Sequence, residues 1–347
     1  MTARHTAVLT ALGITLLASA AFAAAPSVDA ILGELFHFDG DDIAQVKRGQ
    51  ALAISLPGAL DREIAAAGAV RIATPATGVL DLFRDIESLE AGKGFLQTVR
   101  LSHPPRLADF DTLQLPADDL RDLRRCHIGD CKMQLPQRGF DLLATMDWAG
   151  PNPDAQLNRL MRRLALEIAR AYQAGGAKAV GPTLEERPVR DTPAEFVEML
   201  KGKPFLERAT PGLAAYLVSY PRVTRPAGLE EYFYWSLVEF GLKKTLRLNH
   251  IVLSPLPGQP RWVIANRQIW ASHYFQNAVE VRLLVDDSAS GAAAHYLFVL
   301  NLARPDGLTG VFGPIVRYKV RSGSREALRK TLAITQRRAE ASVGAAR

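Results

Sequence analysis

Chemical capacity is concentrated in two places. His250 and His273 lie inside strand-like runs of apolar and aromatic residues, LRLNHIVL and IWASHYF. Cys126 and Cys131 flank a Gly129-Asp130 turn in the run RRCHIGDCKMQL and are the only cysteines in the chain. An imidazole buried among apolar neighbours needs a hydrogen-bond partner, and Asn249, Gln268, Ser272 and Tyr274 are close enough in sequence to supply one. Such a histidine is either a satisfied core residue or the polar anchor of an apolar pocket, since ligand sites are mostly apolar with a few convergent polar groups. Tyrosine and tryptophan divide in the same way between core filler and pocket wall. The candidate ligand-binding set is therefore Tyr234, Trp235, His250, Trp270, His273 and Tyr274.

In an oxidising compartment, two cysteines this close most simply close a disulfide. So small a loop removes only ~2 kcal/mol of chain entropy, enough to pin a turn but not a fold. A redox-active pair and a metal site are the competing readings. Haem attachment needs C-x-x-C-H, whereas here His127 follows the first cysteine. As metal ligands, Cys126, His127, Asp130 and Cys131 are awkwardly adjacent, with no second paired set. The chain has no G-x-S-x-G, no H-E-x-x-H, no P-loop and no G-x-G-x-x-G after a strand. Asp85 with Glu87 and Glu230 with Glu231 are neighbours in sequence, a spacing that rarely gives the facing geometry of an acid–base pair. No cofactor and no metal is expected.

The elements that must position these residues are strands. From Tyr232 to Gly307, long alternating runs follow one another with short turns, the pattern of one curved antiparallel sheet. Over Thr245 to Leu253, Leu246, Leu248, His250 and Val252 share one face; Arg247 and Asn249 point the other way. Strict alternation then places Trp262, Ile264, Gln268, Trp270, Ser272 and Tyr274 together. Val279, Val281, Leu283 and Val285 alternate with charged Glu280, Arg282 and Asp286, which predicts a strand with one wet face. Tyr296, Phe298, Leu300 and Leu302 alternate in the last strand.

Helices surround these runs. Two short ones precede an extended segment over residues 26 to 58, and a strand ends at Ile72. Thr74 and Pro75 form an N-cap and first turn before VLDLFRDIESL, and FLQTVRL is the next strand. Asn152 and Pro153 open the clearest helix, striped by Leu157, Leu160, Met161, Leu164, Ile168, Ala171 and Tyr172 and stopped by Gly175-Gly176. Residues 194–200 and 212–218 are two further short helices. A long closing helix spans about 311–341, with Phe312, Val316, Val320, Ser324, Leu328 and Leu332 at steps of four opposite a basic stripe.

The N-terminus is read as something other than fold. Arg4 and His5 form a basic head, Ala7 to Ala21 an apolar core too short to span a bilayer, and Ala21-Phe22-Ala23 a cleavage site. Residues 1–23 are thus expected to be a signal peptide, and the mature chain to be periplasmic or secreted. Hydrophobic content of 48% supports a substantial core. The formal charge of +6 gathers towards the C-terminus, where it is either a solvated helix face or a surface for anionic lipid headgroups. Nucleic acid is not an expected partner, for an exported protein meets little of it.

The order of elements resembles the START-like, helix-grip superfamily of polyketide cyclases and lipid-transfer proteins. AVRIATP followed by VLDLFRDI, then a long antiparallel sheet and the closing GLTGVFGPIVRYKVRSGSREALRKTLAITQRRAE carry the likeness, over residues 66 to 102 and 230 to 341. CHIGDCKMQLP, YWSLVEFGLK and ASHYF also resemble stretches in a group of secreted bacterial proteins of unassigned role. The resemblance implies an α+β fold in which a curved antiparallel sheet wraps around a long C-terminal helix and encloses a hydrophobic cavity. Residues 24–65 would be an N-terminal helical and extended segment. Residues 66–343 would be the START-like domain, carrying a large, mostly helical insertion at about 126–226. The function so implied is binding of a hydrophobic small molecule or lipid in the cell envelope, with the basic closing helix resting on anionic membrane. Two alternatives stand beside it: an enzyme on the same scaffold with a cavity histidine as general base, and a packed cell-envelope interaction protein with no ligand.

Overall fold

Alternating strands dominate the computed structural model, which describes residues 25–344 apart from 59, 61, 93, 241–242, 288–292, 307 and 309–312. The expected signal peptide lies outside the described residues, as does Phe312. Eight strands, β1 (Leu52–Leu56), β2 (Ile64–Ile72), β3 (Phe95–Arg100), β4 (Glu230–Phe240), β5 (Lys243–Pro255), β6 (Arg261–Ala271), β7 (Phe275–Asp286) and β8 (His295–Pro305), form one curved, open antiparallel sheet in the order β1-β2-β8-β7-β6-β5-β4-β3. With the long C-terminal helix Gly313–Gly344 this is the helix-grip arrangement, and the class is α+β.

Both faces of the sheet are covered, because the strands are apolar or aromatic on both. One face carries Ala66, Val70, Leu297, Leu284, Ile264, Leu253 and Tyr232, packed by Val79, Leu80, Phe83 and Ile86 and by Leu328, Leu332 and Ala339 of the closing helix. This is the helix-facing side. The closing helix lies on β1, β2 and the helix Ala76–Arg84, at one end of the sheet. It comes close because residue 68 is glycine: a Cβ there would sit 2.7 Å from Leu332 Cδ1 and 2.8 Å from the Leu52 carbonyl oxygen.

Residues 101–229 leave the sheet between β3 and β4, which pair directly with each other. Their helices, together with the N-terminal turns around Ile31 to Phe36, pack on the opposite face. The central helix there, Pro153–Gly175, buries Leu157, Leu160, Met161, Leu164, Ile168 and Tyr172 as its periodicity requires. Cys126 and Cys131 are disulfide-bonded within this segment, their Cα atoms 4.5 Å apart.

Four local expectations change. Thr74 does not cap the following helix: Pro75 occupies the N-cap position, and the Thr74 hydroxyl is buried without a protein partner. VLDLFRDIESL is two helices, because Asp85 leaves the helical region and caps the second through the Ser88 amide at 3.2 Å. The stripe on the closing helix is buried only from Leu328 onward, continuing through Leu332, Thr335 and Ala339, while Val316, Val320 and Ser324 are half-exposed. Steps of four overrun the 3.6-residue turn and drift off the contact line within a few turns. Finally, β6 does not alternate throughout. Leu248 pairs with Trp270 while Asn249 pairs with Gln268, so Ile269 is one residue extra. A bulge of this kind swaps the faces of everything beyond it, and Trp270 leaves the side that Trp262, Ile264 and Gln268 occupy.

Candidate functional site

Strand alternation and antiparallel register together place a band of polar side chains on the helix-facing side. Asn301 on β8, Glu280 on β7 and Asn266 on β6 stand side by side in one cross-strand row. In the next row are Gln268, Asn249 and Tyr234 on β6, β5 and β4. Arg247, Ser236 and Thr98 follow on β5, β4 and β3. Arg282 lies on the other side of the first row, paired in register with Ile264. Beyond it the face turns apolar, with Leu253, Ile264, Leu284 and Phe83. Of the charged residues expected to wet β7, Glu280 and Arg282 therefore lie on a covered face, while Asp286 at the strand end is partly exposed. Arg282 is 8% exposed, and its guanidinium lies 4.4 Å from the centre of the Phe83 ring.

The charges in this band are matched. Arg282 pairs with Glu280. Glu90, the last residue of the helix Ile86–Glu90, accepts from Tyr234 Oη at 2.9 Å and from Thr98 Oγ1 at 2.8 Å. Arg247 lies 3.6 Å from the same carboxylate and donates to Ser236 Oγ at 3.0 Å. Asn266 Nδ2 donates to Tyr234 Oη at 2.6 Å. Burial pushes the Tyr234 hydroxyl well above its ordinary value, with the Glu90 charge adding to it. Burial also lowers Arg282 to about 10, against the pull of Tyr234 and Glu90. Both therefore stay protonated at neutral pH. The band is thus a set of fixed hydrogen-bond donors and acceptors on one face of the sheet.

Four polar atoms of the band remain over. Arg247 Nε, Asn249 Nδ2, Asn266 Oδ1 and Asn301 Oδ1 are shielded from solvent and have no protein hydrogen-bond partner. Leaving such a group unmatched costs ~1–3 kcal/mol, so each of the four is capacity for one further hydrogen bond. Ala278 and Ala303, paired across β7 and β8 next to the first row, are small and only half-buried. A depression of about 320 Å³ lined by Glu87, Glu90, Phe95 and Thr98 opens at the β3 end of the band. Among the described residues no group of histidine, cysteine, aspartate or glutamate side chains is arranged to hold a metal ion.

The six candidate residues do not converge. Tyr234 belongs to the band. Trp235, His250 and Trp270 point to the opposite face, where their polar tips tie the sheet to the segment between β3 and β4. Trp235 Nε1 donates to the Asp109 carbonyl at 2.8 Å, and Trp270 Nε1 to the Gln134 carbonyl at 2.9 Å. His250 is fully buried, with Nε2 3.0 Å from Glu231 and Nδ1 3.2 Å from Tyr172 Oη. Phe233 and Tyr220 cover its ring, each at 4.6 Å between centroids. Burial holds this imidazole below its ordinary value, and Glu231 only partly offsets that. His273, in the turn after β6, has Nε2 3.0 Å from Asp119 and Nδ1 2.9 Å from the Lys132 carbonyl. Tyr274, in the left-handed region at φ 68°, accepts from the Lys243 amide through its hydroxyl at 2.6 Å.

Asn249, Asn266, Gln268, Glu280, Arg282 and Asn301 are the residues that reading the sequence for histidines and aromatics passes over. Their signal is present but short: Arg247 and Asn249, Asn266 and Gln268, and Glu280 and Arg282 are polar pairs two positions apart on three consecutive strands, with Asn301 alone on the next. Only the register shows that all of them look the same way.

No family model matches the chain, and no curated protein matches it. Among solved structures it is similar to the di-domain ARO/CYC StfQ from the steffimycin biosynthetic pathway, at 13% identity and a TM-score of 0.23, over 80% of this chain and 99% of that one. At that score the likeness adds nothing to the topology described above.

Proposed function

We propose that this protein binds a hydrophobic, lipid-like ligand on the helix-facing side of its sheet. The observation that supports this most is the set of solvent-shielded, unpartnered polar atoms on Arg247, Asn249, Asn266 and Asn301, bordered by the apolar patch of Phe83, Leu253, Ile264 and Leu284. Apolar walls with a few convergent polar groups are the common makeup of small-molecule sites. The reading assigns the ligand to this face and not to the histidines, whose ring nitrogens are all within hydrogen-bond distance of protein groups.

The same proposal places the protein outside the cytoplasm. The disulfide is compatible with an oxidising compartment, and the first residues of the chain have the layout of a signal peptide. The closing helix would lie on anionic membrane: it carries eight arginines and lysines against two glutamates, and near its start Ile315 and Tyr318 are 59% and 75% exposed. No helix among the described residues is long and apolar enough to cross a membrane.

The test is native mass spectrometry of the mature protein taken from its own host. A co-purifying apolar species, absent from an Asn249→Leu variant, is the expected result. A clean apo mass over repeated preparations, together with no binding of added alkyl ligands, overturns the proposal in favour of a packed interaction protein.

A further inference from the structure

Within the proposed ligand site, the chemistry of the unsatisfied atoms restricts what the polar end of the ligand can be. An anionic headgroup needs positive charge to spare. Arg282 is already paired with Glu280, and Arg247 lies against Glu90. A cationic headgroup needs a carboxylate to spare, and both Glu90 oxygens already accept, from Tyr234 and Thr98. Carrying a net charge into a band whose charges are matched costs desolvation with no counter-ion to offset it.

The remaining capacity is mixed. Asn266 Oδ1 and Asn301 Oδ1 can only accept, whereas Asn249 Nδ2 and Arg247 Nε can only donate. Asn249 is 2% exposed, so its amide hydrogens have no ready route to bulk water. The spacing matters as well. Asn301 and Asn266 flank Glu280 on three adjacent strands, roughly 10 Å from one side to the other at ordinary strand spacing. Asn249 lies on the next strand, one row along. A single hydroxyl or amide cannot reach across that distance. Several hydroxyls on one ring or short polyol can, each donating to an amide oxygen and accepting from an N–H.

We infer that the band on β5 to β8 recognises a neutral, multiply hydroxylated headgroup, sugar- or polyol-like, on an apolar body. The inference rests on the ligand site proposed above. It is tested by isothermal titration of the mature protein with four probes of equal chain length, all below their micellar concentrations: decyl glucoside, decanoate, decyl phosphate and decyltrimethylammonium. The glucoside is expected to bind at least about tenfold more tightly than the charged probes, one or two hydrogen bonds' worth. Asn249→Leu and Asn301→Leu should each weaken it about tenfold and so narrow its preference over decanoate. Asn249→Ala, which removes the donor without adding bulk or charge, covers the case in which leucine disturbs the fold. A preference for decanoate or decyl phosphate, or a glucoside affinity indifferent to all three substitutions, overturns the headgroup assignment and leaves the hydrophobic-ligand reading standing. No binding by any of the four probes overturns both.

Discussion

The seat of the closing helix on the sheet can be tested at one atom. Gly68 lies in mid-strand on β2, opposite Val299 and Ala53. A methyl group there would meet Leu332 Cδ1 at 2.7 Å, the Leu52 carbonyl oxygen at 2.8 Å and Leu328 Cδ2 at 3.2 Å. In a strand without such neighbours, Gly→Ala gains ~0.5–1 kcal/mol by restricting the unfolded chain. Here the methyl must displace two leucines and crowd a backbone oxygen, an overpacking cost of ~1–3 kcal/mol. Gly68→Ala is therefore expected to destabilise by ~1–2 kcal/mol net. Leu332→Ala alone should cost ~2–5 kcal/mol. In the double variant the new methyl fills part of the space that Leu332 leaves, so the two effects should fall short of their sum by ~1 kcal/mol or more. Urea midpoints of the four proteins, followed by tryptophan fluorescence, give the cycle. A Gly68→Ala protein as stable as wild type, or strictly additive effects, would refute the close approach of helix and sheet.

Three further outcomes follow from the geometry. Trp270→Ala and His273→Phe should lower stability, the tryptophan by ~3–5 kcal/mol, without altering decyl glucoside affinity; a folded variant with lost affinity would return the site to the opposite face. Burial pushes the Asp306 carboxyl up to about 6, with Glu185 adding to it. The folded state then holds this proton more tightly than the unfolded chain, so the contribution is complete below about pH 4 and is lost as pH rises through 6. Asp306→Asn should gain melting temperature relative to wild type between pH 5 and pH 7, and a pH-independent difference would exclude that titration. Replacing Ile315 and Tyr318 with aspartate should abolish co-sedimentation with phosphatidylglycerol vesicles while leaving the melting temperature unchanged, and undiminished binding would remove the helix from the membrane contact.

The sequence carries the parts of this protein that are local or periodic. Apolar spacing marks the helix Pro153–Gly175 and most strands; Cys126 and Cys131 are too close to serve anything simpler than a turn; the order of strands and closing helix matches the helix-grip arrangement. These signals survive because each depends on residues a few positions apart. The candidate site does not. Glu280 and Arg282 alternate with valines on β7 and, taken alone, describe a wet edge; their inward direction depends on β6, β8 and the helix of Phe83, nearly two hundred residues away in the chain. One extra residue, Ile269, turns Trp270 to the other face of the sheet, and alternation gives no warning of a bulge. His250 and His273 look like site residues until Tyr172 and Asp119, from the segment between β3 and β4, take up their ring nitrogens. Residue type and period determine which face a side chain shares with its neighbours, but only tertiary packing decides what covers that face, because burial is a property of the elements that come to lie on it.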